Sequence, residues 1–185
     1  TVSVTVTADN DAPDAVSDAV TTAEDTSLSI DVLANDSDVD GDTISVSGVS
    51  AANGTATVNS AGDVDYTPDA NFTGTDTITY TITDGTLTDT ATVSVTVTAD
   101  NDAPDALTDA VTTVEDTSLS IDVLANDSDV DGDTISVSNA SAANGVVSVN
   151  TDGEVDYTPN ADFTGTDTIT YMITDGTLTD TATVS

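Results

Sequence analysis

Residues 9–94 return as residues 100–185, 91 positions later, with 14 substitutions between the copies. A repeat of this length and fidelity means that one set of local instructions folds twice, so a tandem array is the expected architecture. DNDAPDA at 9–15 recurs at 100–106, and SIDVLANDSDVDGDTISVS at 29–47 recurs at 120–138. Several substitutions exchange one acid for another or for an amide, as with Asp63 and Glu154 or Asp69 and Asn160. TVSVTVT at 1–7 recurs at 92–98. Residues 1–8 therefore read as the last strand of a preceding repeat, 9–98 as the first full repeat, and 99–185 as a second that stops before its last strand is complete.

Within a repeat the apolar residues alternate with polar ones and show no helical spacing. Leu28, Ile30 and Val32 alternate with Ser and Asp, as do Val64 and Tyr66, then Ile78, Tyr80 and Ile82, then Val93, Val95 and Val97. Val and Thr dominate these runs, as suits half-buried pleated strands. Asn53-Gly54, Ala61-Gly62-Asp63 and Asp84-Gly85 supply turns. Seven strands are expected, near 16–22, 26–33, 43–49, 55–59, 63–67, 76–83 and 86–98. That count in about 90 residues predicts an all-β chain of tandem seven-stranded immunoglobulin-like sandwiches.

The charge is equally restrictive. The chain carries 35 Asp plus Glu and no Lys, Arg, His or Cys, a formal charge of −35. Without Cys there is no disulfide or thiolate chemistry, and without His the usual zinc ligand and neutral-pH base are absent. Without Lys or Arg a phosphate backbone or anionic lipid cannot be neutralised, so nucleic-acid binding is not expected, and with no run of about 18 apolar residues direct membrane insertion is not expected either. Two carboxylates about 5 Å apart repel by roughly 3 kcal/mol at an effective dielectric near 20. Acids packed in one loop must therefore stay extended in water or be filled by multivalent cations.

The acids do cluster. With strands alternating in direction, the lead-in residues, the loop 34–42 and the turns 60–63 and 84–85 share one pole. Glu24-Asp25, 50–54, 68–75 and 99–105 share the other. The densest run is Asp36, Asp38, Asp40, Gly41 and Asp42, repeated as Asp127, Asp129, Asp131, Gly132 and Asp133. Carboxylates at every second residue before a Gly match the first half of a D-x-D-x-D-G calcium loop, where hard oxygens suit a cation taking six to eight donors. The bidentate Glu expected six residues after the Gly is replaced by Ser47 and Ser138, so further ligands must come from elsewhere. An acidic loop of a salt-adapted protein is the plainer alternative, although such acids should spread over strand faces that here carry Thr and Ser. The linker supplies a second group: Asp9, Asn10 and Asp11, repeated as Asp100, Asn101 and Asp102, with Glu24 and Asp25 and the matching Glu115 at the neighbouring turn. A shared Ca2+ ion is expected there, although a plain turn needs none.

DNDAPDA, EDTSLSIDVLANDSDVDGDTISV and DVDYTPDANFTGTDTITYTITDGTLTDTATVSVTV together resemble the cadherin-like tandem repeats of giant bacterial adhesins, the repeat-in-toxin and biofilm-associated surface proteins. The resemblance covers the whole chain in two copies. It implies extender domains exported to the bacterial cell surface, rigidified by calcium through neighbouring repeats of the same chain, with ligand recognition in other domains.

Three other functions compete with this spacer role. Residues 1–7 could be donated as a strand in head-to-tail self-association into filaments. The Thr- and Ser-rich faces could bind a glycan or partner weakly, or carry glycans themselves, Asn35, Asn53, Asn71, Asn126 and Asn139 being sequons. An enzyme is not expected: paired carboxylates hydrolyse glycosides, but those sites bring aromatic platforms, and this chain has 3% aromatics and no Trp.

Overall fold

The computed structural model describes all 185 residues, which divide into two compact units, Thr1–Asp100 and Asn101–Ser185. In the first, β1 (Asp18–Ala23), β7 (Thr88–Thr98), β6 (Gly74–Thr83) and β3 (Ser45–Ser50) form one sheet in that order. The second sheet is β2 (Leu28–Ile30), β5 (Val64–Pro68) and β4 (Gly54–Val58). Every neighbouring pair is antiparallel except β1 and β7, which run parallel from Asp18↔Val93 to Ala23↔Thr98. Seven strands joined by six direction reversals require a parallel first and seventh strand, so the predicted sharing of poles holds in this unit.

The second unit repeats the plan with β8 (Leu119–Ile121), β9 (Ser136–Ala142), β10 (Gly145–Val149), β11 (Val155–Pro159), β12 (Ile169–Thr174) and β13 (Thr179–Val184). Its sheets are β13-β12-β9 and β10-β11-β8. Here the counterpart of β1 shrinks to one parallel bridge, Asp109↔Val184. Residues 1–8 likewise form no strand, and Val2, Val4 and Val6 stand 92%, 79% and 89% exposed. A strand needs a neighbour to bond.

The alternation does the packing. Ile78, Tyr80 and Ile82 of β6 and Ala91, Val93, Val95 and Val97 of β7 turn inward onto Ile30, Val32, Val64 and Tyr66. The second core is Ile121, Val123, Val155, Tyr157, Ile169, Tyr171, Ile173, Ala182 and Val184. Each fully buried aliphatic side chain contributes about 1.5–3 kcal/mol.

One inward position of β6 is an acid. Asp76 is 1% exposed and accepts hydrogen bonds from the Tyr66 hydroxyl (2.8 Å), the Asn53 and Thr77 N–H groups (3.0 and 2.7 Å) and the Asn53 amide (3.3 Å). It thereby ties the β3–β4 turn to the core. Gly54 is required in that turn, because a Cβ there would come within 2.7 Å of the Tyr66 ring. Burial pushes the Asp76 carboxyl up, but the four donors outweigh it and hold the group below the usual carboxylate range. Asp167 has the same balance with Asn144, Tyr157 and Thr168.

Asp76→Ala leaves those donors buried without an acceptor and should cost about 3 kcal/mol, read from denaturant unfolding of the first unit. Because the folded-state pKa is depressed, this stabilisation is complete above the unfolded value of about 3.9 and is lost as pH falls through the lower folded value. Asp76→Asn should therefore flatten the acid limb of the stability profile.

Candidate metal centre

The aspartate loop lies between β2 and β3, and it is shaped by its own carboxylates. Asp38 Oδ1 accepts the N–H groups of Asp40 (2.8 Å) and Asp42 (3.4 Å), while the Gly41 N–H bonds the Asp38 carbonyl at 3.2 Å. Gly41 takes φ 79°, the left-handed conformation that lets the chain close around Asp38. The second loop repeats this at Asp129, Asp131 and Asp133, with Gly132 also at φ 79°.

The lead-in residues close over the loop from the same pole. The Asp11 N–H donates to Asp40 Oδ2 at 2.8 Å, and the Asn10 amide donates to Asp84 Oδ2 at 2.8 Å. In the second unit Asp102 donates to Asp131 at 2.8 Å and Asn101 to Asp175 at 2.7 Å. Asp9, Asn10, Asp40 and Asp42 line a shallow depression in the first unit. The structure thus brings Asp9, Asn10, Asp11, Asp38, Asp40 and Asp42 into one group, and Asn101, Asp102, Asp129, Asp131 and Asp133 into its counterpart.

Two loop acids face elsewhere. Asp36 Oδ1 accepts the Val16 N–H at 2.7 Å, and both its oxygens lie 3.2–3.3 Å from the Tyr80 hydroxyl. Asp127 does the same with Leu107 and Tyr171. Burial, then the Asp36 and Asp18 carboxylates, hold the Tyr80 phenol well above its ordinary value, so it remains a donor. Burial also pushes the Asp127 carboxyl up, only partly offset by the Leu107 N–H and the Tyr171 hydroxyl.

At the opposite pole Glu24 is 4% exposed, and its Oε1 accepts the Asp100 N–H at 2.8 Å. Asp25, at φ 53°, accepts the Asn71 N–H at 3.3 Å. In the second unit Glu115 is exposed, and Asp116 accepts the Asp162 N–H at 3.1 Å.

The carboxylates that sequence reasoning missed are anchors. Asp84 and Asp175 receive the Asn amides, and Asp89 and Asp180 accept the Ala15 and Ala106 N–H groups, each at 2.9 Å. The Leu87 N–H, followed by the Asn10 amide, holds Asp84 below the usual carboxylate range. The shared pole of the lead-in residues and the Asp84-Gly85 turn was the available signal for Asp84.

One atom in each loop fits a cation and nothing else in the chain. Asp38 Oδ2 and Asp129 Oδ2 are shielded from solvent and accept no hydrogen bond. A buried carboxylate oxygen without a partner is costly, and a chain with no Lys, Arg or His offers no cationic side chain to pair it. The surrounding donors are all oxygen, which matches a hard divalent ion. Asp38→Asn should therefore be neutral or stabilise the first unit by about 1 kcal/mol in chelator, and should lower its melting temperature relative to wild type in millimolar calcium.

A family profile described as "Bacterial Ig domain" matches residues 10–96 and 101–185. No curated protein matches the chain in sequence. Among solved structures, human protocadherin-24 EC1-2 aligns at 16% identity over 95% of this chain and 99% of that one, with a TM-score of 0.51. Drosophila N-cadherin EC1-4 aligns at 17% identity over 95% of this chain and 49% of that one, TM-score 0.47. An endo-fucoidan hydrolase of glycoside hydrolase family 107 aligns at 20% identity over 93% of this chain, TM-score 0.38, and the chain spans 28% of that enzyme's length.

Proposed function

The chain belongs to the bacterial immunoglobulin-like domain family, and from that premise we propose that its repeats are calcium-stiffened spacers of a secreted or cell-surface adhesin or biofilm matrix protein, projecting distal binding domains. The observation that carries the reading is the buried, unpartnered oxygen of Asp38, repeated at Asp129. In the first unit Asp9, Asn10, Asp11, Asp38, Asp40 and Asp42 would hold the ion. In the second, Asn101, Asp102, Asp129, Asp131 and Asp133 would do so. Asp36 and Asp127, engaged by Tyr80 and Tyr171, brace each loop from behind. Glu24, which accepts the Asp100 N–H, and Asp25 would be further oxygen donors at the other pole together with Asp100, with Glu115 the counterpart of Glu24 in the second unit.

Calcium would supply charge neutralisation and cross-linking. Residues 9–11 and 100–102 are linker residues, and their backbone already hydrogen-bonds to carboxylates: Asp11 to Asp40, Asp102 to Asp131, Asp100 to Glu24. Mutual repulsion of neighbouring carboxylates works against those bonds. A divalent ion that draws the same oxygens together turns the linker from a hinge into part of each unit's body.

Extracellular modules typically bind calcium at ~10⁻⁴–10⁻³ M, and with no Glu at the loop end weak sites of that order are expected here. Raising calcium from chelator to about tenfold above the dissociation constant should raise the melting temperature by about 6 °C or more. Small-angle scattering should show longer, less variable particles over the same titration. If melting temperature and solution dimensions are both indifferent to calcium, the spacer mechanism fails.

A further inference from the structure

Of the five Asn-X-Ser/Thr sequons, the fold withdraws four. The Asn35 and Asn126 amides donate to the Val16 and Thr108 carbonyls, at 3.1 and 3.4 Å. Asn53 is half-buried, and its amide donates to Asp76 at 3.3 Å. Asn139 lies within β9, its backbone paired with Met172 of β12. An acceptor held in these ways cannot enter a transferase site unless the structure around it opens.

Asn71 is held differently. It stands exposed in the turn between β5 and β6, followed by the half-buried Phe72 and the exposed Thr73. The Phe72 N–H closes the turn on the Asp69 carbonyl at 3.0 Å, and the Phe72 side chain packs against the core. Asn71 takes φ 56°, a left-handed conformation that Asn and Asp tolerate better than other residues with a Cβ. Its N–H donates to Asp25 Oδ1 at 3.3 Å, while its side-chain amide has no partner in the chain.

The second unit shows that this amide has no part in the fold. Its matching turn carries Asn160 and Asp162 where the first carries Asp69 and Asn71, an acid and an amide in the opposite order. Asp162 takes φ 58°, its N–H donates to Asp116 at 3.1 Å, and the Phe163 N–H closes on the Asn160 carbonyl at 3.0 Å. Either order builds the turn. Only the first writes a sequon, and it puts an exposed acid, Asp69, two residues before the acceptor. Leu33, Ala51, Leu124 and Val137 hold that place in the other four sequons. Asp69 gives a transferase a charge by which to orient the turn.

We propose that Asn71 is the acceptor of an N-linked glycan. The donor class is a neutral oligosaccharide joined through pyrophosphate to a membrane lipid, transferred by an oligosaccharyltransferase. Asn71 Nδ2 attacks the anomeric carbon, the bond from that carbon to the pyrophosphate oxygen breaks, and the lipid pyrophosphate leaves with the electron pair. One Nδ2 proton passes to a base of the transferase. The product places a bulky uncharged group beside Asp25 and Asp69, shielding the turn without adding to the charge of the chain. The inference rests on the proposed function only in requiring export, and it needs no calcium.

The test is mass spectrometry of the chain recovered from its producing cells. With no Lys or Arg to cut at, cleavage before Asp releases residues 69–75 as one peptide. That peptide should carry an oligosaccharide, and the peptides holding the other four sequons should not. Asp69→Asn with Asn71→Asp, which writes the second unit's turn into the first, should abolish the glycan and leave the melting temperature unchanged. Thr73→Ala should abolish it with the amide still in place. Asn160→Asp with Asp162→Asn should add a second glycan, at position 162. Folded recombinant chain given a purified oligosaccharyltransferase and a lipid-pyrophosphate oligosaccharide should gain one glycan, on the same peptide. A bare 69–75 peptide from producing cells overturns the inference. So do glycans on the other sequons in place of Asn71, or a folded chain that stays unmodified where the free 69–75 peptide reacts. None of these outcomes alters the calcium titration, so the two readings fail separately.

Discussion

The constraint on which the rest of the structure depends is that no side chain carries positive charge. In most folds a carboxylate in a polar cluster finds a Lys or Arg. Here the only partners are N–H groups, hydroxyls and amides of the chain, or ions from outside. The consequence is visible throughout the first unit: Asp40, Asp89, Asp36 and Glu24 accept the backbone N–H groups of Asp11, Ala15, Val16 and Asp100. Charge-assisted bonds of this type are roughly twice as strong as neutral ones. The acids thus fasten the segments that enter and leave the sandwich.

The same constraint explains the two tyrosine clusters. Tyr66 serves Asp76, and Tyr80 serves Asp36 and Asp18, each phenol held above its ordinary value by burial and by the carboxylates beside it. With no cation to pair a buried acid, a phenol fixed by core packing is the strongest side-chain donor left. The arrangement recurs at Tyr157 with Asp167 and Tyr171 with Asp127. What remains unsatisfied is one oxygen per loop, at Asp38 and Asp129, and those are the atoms on which the case for an external cation rests.

Much of the fold was legible in the sequence because the signals were local. Period-two alternation located all seven strands of the first unit to within a few residues, and turn dipeptides set their direction. The poles followed, and with them the meeting of residues 9–11 with the loop 36–42. Less of the site was legible. Sequence spacing treats Asp36, Asp38, Asp40 and Asp42 as equivalent, yet Asp36 turns toward Tyr80 while Asp38 organises the loop. The anchoring roles of Asp84 and Asp89 depend on contacts 74 residues away in the chain, which no local pattern encodes.

The sequence by itself determined the repeat, the β alternation, the two acidic poles and the need for an outside source of positive charge, because each follows from residue type and spacing alone. Only the tertiary structure decided which carboxylates are already satisfied. It showed that Asp76 is core, that Asp36 and Glu24 are fasteners, and that Asp38 Oδ2 is left without a donor. It also decided that Val95 and Val97 are buried, paired with β1 on one side and β6 on the other. The physical reason is the same in both cases: a hydrogen bond or a buried surface belongs to a pair of groups, and the sequence names only one member at a time.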